Sequence, residues 1–366
     1  MALKCGIVGL PNVGKSTIFN ALTSANISAE NYPFCTIDPH LGIVAVPDIR
    51  LNKIANIIKP KKITPPTVVF TDIAGLVKGA SRGEGLGNKF LSHIREVDTI
   101  LHVVRCFDDN KIAHVEGRIN PIEDISIIET ELLLSDIETI DKKILKAGKY
   151  AKSNQDEAKK EYSFLKRLSD HCNSGLAVKS FSFSHNEKKA IQPLNLLTLK
   201  PMIYIANLDE TSLIKGSNNK SLNALNNLAK KNNQQVIPLC GKIEQEISFL
   251  TSNEKQFFLE EYNLKEPGLF KLIRETYKLL GLNSFYTCGP NEVRCWAIPK
   301  NSTALEAAGA IHTDFQRGFI KAEIYHSSDL IRLKSEKALK ETGLINLEGK
   351  DYLVQDGDCI YFRFNV

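Results

Sequence analysis

Nine residues near the amino terminus have the types and spacing of a phosphate-binding loop. The segment Gly9-Leu10-Pro11-Asn12-Val13-Gly14-Lys15-Ser16-Thr17 follows a short apolar run and leads into a helical pattern. Its glycines allow backbone N–H groups to curl around a phosphate, and the following helix adds the positive end of its dipole. We expect Lys15 to reach the β- and γ-phosphates and Ser16 to bind Mg²⁺. A chance match in a glycine-containing turn is the alternative, and the strand and helix on either side argue against it.

A loop between residues 31 and 40 supplies a second candidate hydroxyl ligand for Mg²⁺. It contains Pro33 and Pro39 and has no helical period, so it is predicted to be irregular. Nucleotide hydrolases with a P-loop carry their first switch at this position, and Thr36 fits the ligand that joins Mg²⁺ when a γ-phosphate is present. The alternative is that Thr36 only stabilises a turn and binds no metal.

A third motif follows a buried strand. The β-branched run from Thr67 to Thr71 predicts that strand, which delivers Asp72-Ile73-Ala74-Gly75. We expect Asp72 to hold the metal through water and the Gly75 amide to sense the γ-phosphate. The three motifs in this order predict a nucleotide hydrolase of the GTPase-like class.

Hydrolysis needs a side chain that orients the attacking water, and the residue that usually supplies it is replaced in this chain. Many GTPases carry Gln directly after this motif, and here the residue is Leu76, which has no hydrogen-bonding group. His114 is the candidate replacement, because it lies in the loop after the apolar run from Leu101 to Val104 and has an ordinary pKa suited to proton handling. A surface histidine without a catalytic part is the alternative.

The base-reading segment departs from the guanine pattern. Guanine-binding relatives of this class use N-K-x-D, whereas this chain has Asn207-Leu208-Asp209-Glu210. The additional methylene of Glu210 moves its carboxylate out of register for paired hydrogen bonds, and Leu208 offers only apolar contact. The segment therefore favours adenine.

The amino-acid composition and the net charge are those of an ordinary globular protein. The 366 residues are 43% hydrophobic and 24% charged, with a net charge of +5 and a pI near 8.6, which permits an RNA partner without requiring one. No apolar stretch reaches membrane-spanning length, and no signal peptide is expected before the first strand. The eight scattered cysteines indicate free thiols in a reducing cytoplasm, without a zinc site. They are Cys5, Cys35, Cys106, Cys172, Cys240, Cys288, Cys295 and Cys359.

The order of apolar runs predicts a doubly wound α/β domain over residues 1–280. Helical periodicity over residues 122–195 predicts an antiparallel helical hairpin inserted into that domain, because strand patterns resume at Pro201. Lysines cover the polar faces of the hairpin, and a solvated surface and an RNA-facing surface both remain open.

From residue 281 to 366 the pattern changes to short strands around one helix, which predicts a small α+β domain. Its basic and aromatic residues favour an RNA contact on one surface, with a core position for the tryptophan as the alternative. These residues are Arg294, Trp296, Lys300, Arg317 and Lys321.

The sequence resembles the Obg-like ATPases of the YchF type over essentially its whole length. The resemblance is carried by the segments 9–17, 31–39, 72–80, 207–210, 309–322 and 355–364. It implies a P-loop domain that prefers ATP to GTP, a coiled-coil-like insertion and a C-terminal TGS domain of the β-grasp type. It also implies ribosome association. The nucleotide contacts that it implies are Asn12, Val13, Gly14, Lys15, Ser16, Thr17, Thr36, Asn207, Leu208 and the loop of Cys240 and Gly241, with Mg²⁺ at Ser16 and Thr36. The motifs themselves add Glu210 as a candidate nucleotide contact and Asp72 as a candidate metal ligand.

The sequence as a whole predicts a Mg²⁺-dependent, cytoplasmic and monomeric ATPase that acts as a nucleotide-controlled switch on the ribosome, with no membrane partner. Its candidate catalytic residues are Lys15, Gly75 and His114. An Obg-type GTPase and a ribosome-binding module with vestigial hydrolysis are the alternatives.

Overall fold

The computed structural model describes residues 3–24, 40–73, 86–109, 120–151, 156–215 and 219–365. The chain divides into two compact units. The first consists of Met1–Ile43 and Val69–Leu269, and the second of Val44–Val68 and Phe270–Val366. Among the described residues, no helix combines the length and apolar character needed to cross a membrane.

The secondary structure alternates between strands and helices before it becomes richer in short strands. The strands are β1 (Lys4–Val8), β2 (Leu41–Ala45), β3 (Lys62–Thr64), β4 (Thr67–Asp72), β5 (Thr99–Arg105), β6 (Met202–Asn207), β7 (Gln235–Leu239), β8 (Leu282–Cys288), β9 (Glu292–Pro299), β10 (Phe319–His326), β11 (Asn346–Glu348) and β12 (Asp358–Phe364). The helices are α1 (Lys15–Ser24), α2 (Ile49–Ile58), α3 (Leu86–Arg95), α4 (Pro121–Ala151), α5 (Asp156–Asn173), α6 (His185–Ile191), α7 (Glu210–Lys215), α8 (Lys220–Lys231), α9 (Gly241–Phe249), α10 (Ser252–Glu261), α11 (Gly268–Leu279), α12 (Ala304–Ile311), α13 (Thr313–Arg317), α14 (Ser327–Leu333) and α15 (Glu336–Glu341).

The first sheet has the order β2-β4-β1-β5-β6-β7. The pairs from β4 through β1, β5 and β6 to β7 are all parallel, which confirms the predicted doubly wound sheet. Strands β5 and β6 are buried along their whole length, as expected for central strands of a parallel sheet that is covered on both faces. The carboxyl ends of parallel strands meet at one edge, where ligands of such sheets bind.

The predicted helical hairpin is formed by α4 and α5. Their apolar stripes meet in one core that includes Ile140, Phe164, Leu165 and Leu168. Helix α4 contains Gly148, and a Cβ at this position would lie 3.2 Å from the Tyr162 ring. The glycine therefore allows close packing of the two helices.

The second sheet is mixed and has the order β11-β10-β12-β8-β9-β3. Strand β10 is antiparallel to β11 and β12, β8 is antiparallel to β9, and β12 runs parallel to β8. The expectation of strands around a single helix was wrong, because helices cover both faces of this sheet. Phe285 and Ala307 of α12 lie in one core, while Tyr286 packs with Leu51 of α2 and Leu330 of α14 in the other.

Residues 44–68 belong to this second unit although they lie between β2 and β4 of the first sheet and include the end of β2 and the start of β4. Strand β3 extends the second sheet by pairing in parallel with β9. At the start of α2, Asp48 accepts a hydrogen bond from the hydroxyl of Tyr286, and Arg50 forms a 2.7 Å ion pair with Asp356. Helix α2 and strand β3 are therefore structural parts of the second unit.

Candidate functional site

The phosphate-binding motif lies between β1 and α1, in the strand, turn and helix context that the sequence predicts. Gly14 has a φ of +97°, a left-handed conformation that favours glycine. A Cβ at this position would also lie 2.3 Å from Nδ2 of Asn207. Only glycine fits here, because both the backbone angle and the space exclude a side chain.

Lys15 is directed into the loop that precedes it. Its Nζ donates a 2.8 Å hydrogen bond to the carbonyl oxygen of Leu10, and its side chain is buried. Burial lowers the pKa of Lys15, while the charge of Asp72 acts in the opposite direction. An ammonium group has three donors, so two stay available for phosphate oxygens.

Ser16 and Asp72 meet across 56 residues of sequence, at the end of β4. The Ser16 hydroxyl donates a 3.1 Å hydrogen bond to Oδ2 of Asp72. Oδ1 of Asp72 is buried and has no hydrogen-bond partner among the described residues. A buried carboxylate oxygen without a partner, next to a hydroxyl, is a donor set that suits Mg²⁺ or a water bound to it.

Asn207 connects two loops of the site. Its Nδ2 donates to the carbonyl oxygen of Val13, and its Oδ1 accepts from the backbone N–H of Gly241, both at 2.9 Å. Only 5% of its surface is exposed. The side chain therefore holds the phosphate-binding loop against the connection between β7 and α9, a role that the sequence motif did not reveal.

Leu208 and Glu210, which follow Asn207, form contacts with other residues of the first unit. Leu208 is 3% exposed, and its N–H donates a 2.8 Å hydrogen bond to the carbonyl oxygen of Leu239. The carboxylate of Glu210 forms a 2.9 Å ion pair with Lys242. Cys240 is buried, and this burial raises the pKa of its thiol. Glu210 thus meets a neighbouring cation in an exposed ion pair, whereas a guanine-reading aspartate has to face the base.

Three residues of the predicted site lie outside the described residues: Thr36, Gly75 and His114. Leu76, at the position that usually carries the water-orienting Gln, lies outside them as well. The start of the segment that leads to His114 is described, and it is held by Arg105. This arginine is 1% exposed and donates 3.2 Å hydrogen bonds to the carbonyl oxygens of Phe107 and Asp109. A charged residue at the end of an apolar strand was the available signal for this role, and sequence reasoning did not use it.

His102 is a second buried group of β5 that sequence reasoning missed. Its Nδ1 has no hydrogen-bond partner among the described residues, and its ring lies 5.7 Å from the ring of Tyr204. Burial, together with the nearby charge of Lys15, lowers the pKa of His102 to about 3. The imidazole is therefore neutral at physiological pH and adds no positive charge beneath the phosphate-binding loop.

In the second unit, the expected single basic and aromatic surface was wrong. Arg294 lies 3.9 Å above the ring of Trp296, and this ring stacks on Phe285 in one core. Where β10 pairs with β12, Lys321 lies opposite Arg363, and Glu323 lies opposite Tyr361 two residues further along β10. These four side chains therefore share one face of the sheet. The alternation of side chains along paired strands places this second group on the opposite face of the sheet from Trp296. Which of these residues share a face depends on how strands far apart in the sequence pair, and the spacing of the residues in the sequence does not reveal this.

Comparison with known proteins gives consistent matches over the whole chain. Residues 4–138 match a family model described as "50S ribosome-binding GTPase". Residues 282–365 match the YchF GTPase C-terminal model, whose description is "Protein of unknown function (DUF933)".

Relatives cover the chain from end to end. The "Ribosome-binding ATPase YchF" of Bacillus subtilis is 50% identical over 366 residues, with 100% of both chains covered. The protein with the same name from Escherichia coli O157:H7 is 49% identical over the same length, with 100% of both chains covered. The solved structure titled "Structure of the Schizosaccharomyces pombe YchF GTPase" is 39% identical, has a TM-score of 0.90, and covers 99% of this chain and 97% of its own. On these grounds the chain belongs to the YchF family.

Proposed function

We propose that this chain is a Mg²⁺-dependent ATPase and acts as a nucleotide-controlled switch on the ribosome. The observation that carries the proposal is the contact between Ser16 and Asp72 beside the buried Lys15, within a loop shaped for phosphate. The bacterial relatives at about half identity are named ribosome-binding ATPases, which supports both the nucleotide and the partner.

The residues of the three motifs have distinct parts in binding the nucleotide and the metal. Lys15 would hold the β- and γ-phosphates, and Ser16, Thr36 and Asp72 would hold Mg²⁺. Backbone N–H groups from Asn12 to Thr17 surround the phosphates, and the Gly75 amide senses the γ-phosphate. Bound Mg²⁺ supplies neutralisation of the charge that develops on the phosphate oxygens.

Adenine is the base that the described residues favour. A guanine site needs a carboxylate in register to accept two hydrogen bonds, and a site that lacks them loses its preference for guanine. Glu210 is longer by one methylene and is paired with Lys242 at 2.9 Å. The names given to the relatives disagree, since the Schizosaccharomyces pombe protein is called a GTPase. A GTPase is therefore the second candidate, and nucleotide affinity decides between the two.

His114 is the proposed water-activating group. It follows a segment whose first residues are held by the buried Arg105, so the loop starts from a fixed point at the carboxyl edge of the sheet. Leu76 has no group that orients water, so turnover depends on a residue from another segment.

Phosphate release tests hydrolysis against the vestigial alternative. We expect ATP turnover that EDTA abolishes and that Lys15→Ala lowers by at least about 100-fold, because the substitution removes the cation at the transferring phosphate. Lys89→Ala, at an exposed position of α3, is the control and is expected to leave the rate unchanged. Equal rates for the wild type and Lys15→Ala would show that the activity does not come from this site.

We infer that the ribosome contact includes RNA and uses the second unit together with the lysine-rich hairpin. Lys321 and Arg363 are exposed neighbours on paired strands of the sheet. The Arg363 guanidinium forms a 2.9 Å ion pair with Glu323 and lies 4.7 Å from the centre of the Tyr361 ring. Basic and aromatic groups together suit looped RNA. A cytoplasmic monomer is the form that we propose to make this contact.

Co-sedimentation with ribosomes at rising salt tests the RNA contact. Lys321→Glu combined with Arg363→Gln is expected to lower retention and the steepness of the salt dependence, since phosphate contacts release counterions. Lys350→Glu, at another exposed position of the same unit, is the control. Unchanged retention of the double variant would exclude this surface.

A further inference from the structure

Helix α3 follows the motif that begins at Asp72 and is the next helix along the chain. It runs from Leu86 to Arg95, and ten residues of helix span about 15 Å. One face of the helix is packed in the protein, since Leu91 and Ile94 are both buried. The helix is therefore a packed segment between the candidate metal-binding motif and its own carboxyl end.

Arg95, the last residue of α3, is bonded to helix α4 of the hairpin. Its Nη2 donates hydrogen bonds to the hydroxyl of Ser135 at 2.8 Å and to the hydroxyl of Thr139 at 2.9 Å. These two residues are one helical turn apart, so they lie on the same face of α4. The Thr139 hydroxyl donates its own proton to the carbonyl oxygen of Ser135, which leaves its oxygen to accept from Arg95. Because the donor is charged, these bonds are stronger than bonds between neutral groups.

The carboxyl end of α3 is held by a second cation. The Lys200 ammonium donates to the carbonyl oxygens of Arg95, at 3.1 Å, and of Val97. A cation at this position also interacts favourably with the negative end of the helix dipole. The backbone of Arg95 is therefore fixed at the point from which its side chain reaches α4.

The turn of α4 that Arg95 contacts is fixed as well. Asp136 is fully buried, and its carboxylate accepts hydrogen bonds from the N–H of Leu197 at 2.7 Å, the N–H of Thr198 at 2.8 Å and the Thr198 hydroxyl at 2.7 Å. Burial raises the pKa of Asp136, and these hydrogen bonds and the charge of Arg95 oppose this shift. Because both helices are ordered at the contact, a shift of one is passed to the other and is not lost in local fraying.

The contact lies near the middle of α4, which has 31 residues from Pro121 to Ala151. The part of the helix beyond Thr139 is about 18 Å long and reaches towards the end of the hairpin. This part carries exposed lysines of the surface that we propose for the ribosome contact. They are Lys142, Lys146 and Lys149.

We propose that Arg95 couples the nucleotide state of the first unit to the helical hairpin, through its hydrogen bonds to Ser135 and Thr139. The inference rests on the proposed function, in which Asp72 and the γ-phosphate act on the motif that precedes α3. A nucleotide shifts such an element only if it interacts differently with the two arrangements, and ATP and ADP differ by the γ-phosphate. Arg95 acts through α4, so it is a positioning residue and not a catalytic one.

Hydrogen exchange of α4 in the full-length protein tests the coupling. Exchange is followed by mass spectrometry over residues 133–145, with the site saturated by Mg²⁺ and either ADP or a non-hydrolysable ATP analogue. In the wild type we expect the exchange rates of the two states to differ by at least about fivefold. In Arg95→Ala we expect a difference of less than about twofold, with both nucleotides bound within about threefold of their wild-type affinity.

A second variant removes the acceptors and keeps the arginine. Ser135→Ala combined with Thr139→Val is expected to lose the difference between the nucleotide states as Arg95→Ala does, because both changes remove the same bonds. Ser92→Ala is the control, since Ser92 is exposed on α3 and its hydroxyl donates to the carbonyl oxygen of Lys89 in the same helix. It is expected to behave as the wild type.

A purely structural role of Arg95 gives a different result. It predicts that Arg95→Ala speeds exchange equally in both states and preserves the ratio between them, and this outcome would overturn the proposal. Equal exchange of α4 in the two states of the wild type would also overturn it. If exchange behaves as expected while ribosome affinity is the same with ADP and with the ATP analogue, the coupling stands and the proposed switch on the ribosome fails.

Discussion

Asn207→Ala is the substitution that most directly probes how the nucleotide site is assembled. The Asn207 amide bridges the carbonyl oxygen of Val13 and the N–H of Gly241 through two 2.9 Å hydrogen bonds, with 5% of its surface exposed. Alanine removes both bonds and leaves a buried acceptor and a buried donor without partners. Each such group costs about 1–3 kcal/mol. We therefore expect the free energy of unfolding of the nucleotide-free protein to fall by at least about 2 kcal/mol.

Urea unfolding without nucleotide measures this loss, and equilibrium binding of ATP measures its consequence. Asn223→Ala is the matched control, because Asn223 is exposed on α8 in the same unit and its substitution is expected to stay within about 0.5 kcal/mol of wild type. Nucleotide affinity should fall with stability for Asn207→Ala, since the phosphate-binding loop loses its attachment to the Gly241 connection. If Asn207→Ala unfolds at the same urea concentration as Asn223→Ala, the amide does not hold these loops together.

Three further predictions concern single groups. Gly14→Ala should destabilise the protein more in the wild type than in Asn207→Ala, because its Cβ would lie 2.3 Å from the Asn207 amide; equal losses in a double-mutant cycle would contradict this clash. Burial raises the pKa of Glu244 to about 7 from 4.5, so the native state holds this proton longer than the unfolded state, and stability falls as pH rises through this window. The unfolding free energy of wild type minus that of Glu244→Gln should fall by about 3 kcal/mol between pH 4.5 and 7.5, and a difference that does not change with pH would refute the shift. His114→Ala should leave ATP affinity nearly unchanged and lower turnover about tenfold or more. If the variant turns over ATP at the wild-type rate, both with and without ribosomes, His114 has no catalytic role.

Local patterns predicted the parts of the molecule that short segments determine. The glycine spacing from Gly9 to Gly14, followed by Lys15, predicted the loop between β1 and α1. The apolar runs predicted the parallel strands, and Asp72 was predicted to hold the metal through water at the end of its strand. Its 3.1 Å contact with the Ser16 hydroxyl is compatible with that prediction. The loop and the strands depend on residues within one strand, turn or helix.

The features that the sequence did not predict depend on distant partners. Strand β3 pairs with β9 more than 200 residues away, and the ion pair of Arg50 with Asp356 spans 306 residues. Likewise, Asn207 matched a base-reading motif, whereas its amide is occupied by two loops that are far away in the sequence. No periodicity encodes such pairings, because they follow from how the whole sheet is assembled.

Competition binding in Mg²⁺ between non-hydrolysable analogues of ATP and GTP tests the central claim most directly. The paired Glu210 and the buried Leu208 leave guanine without its two carboxylate hydrogen bonds, so ATP is expected to bind at least tenfold more tightly, or about 1.4 kcal/mol. Equal affinities, or tighter binding of GTP, would contradict the assignment of this site to adenine.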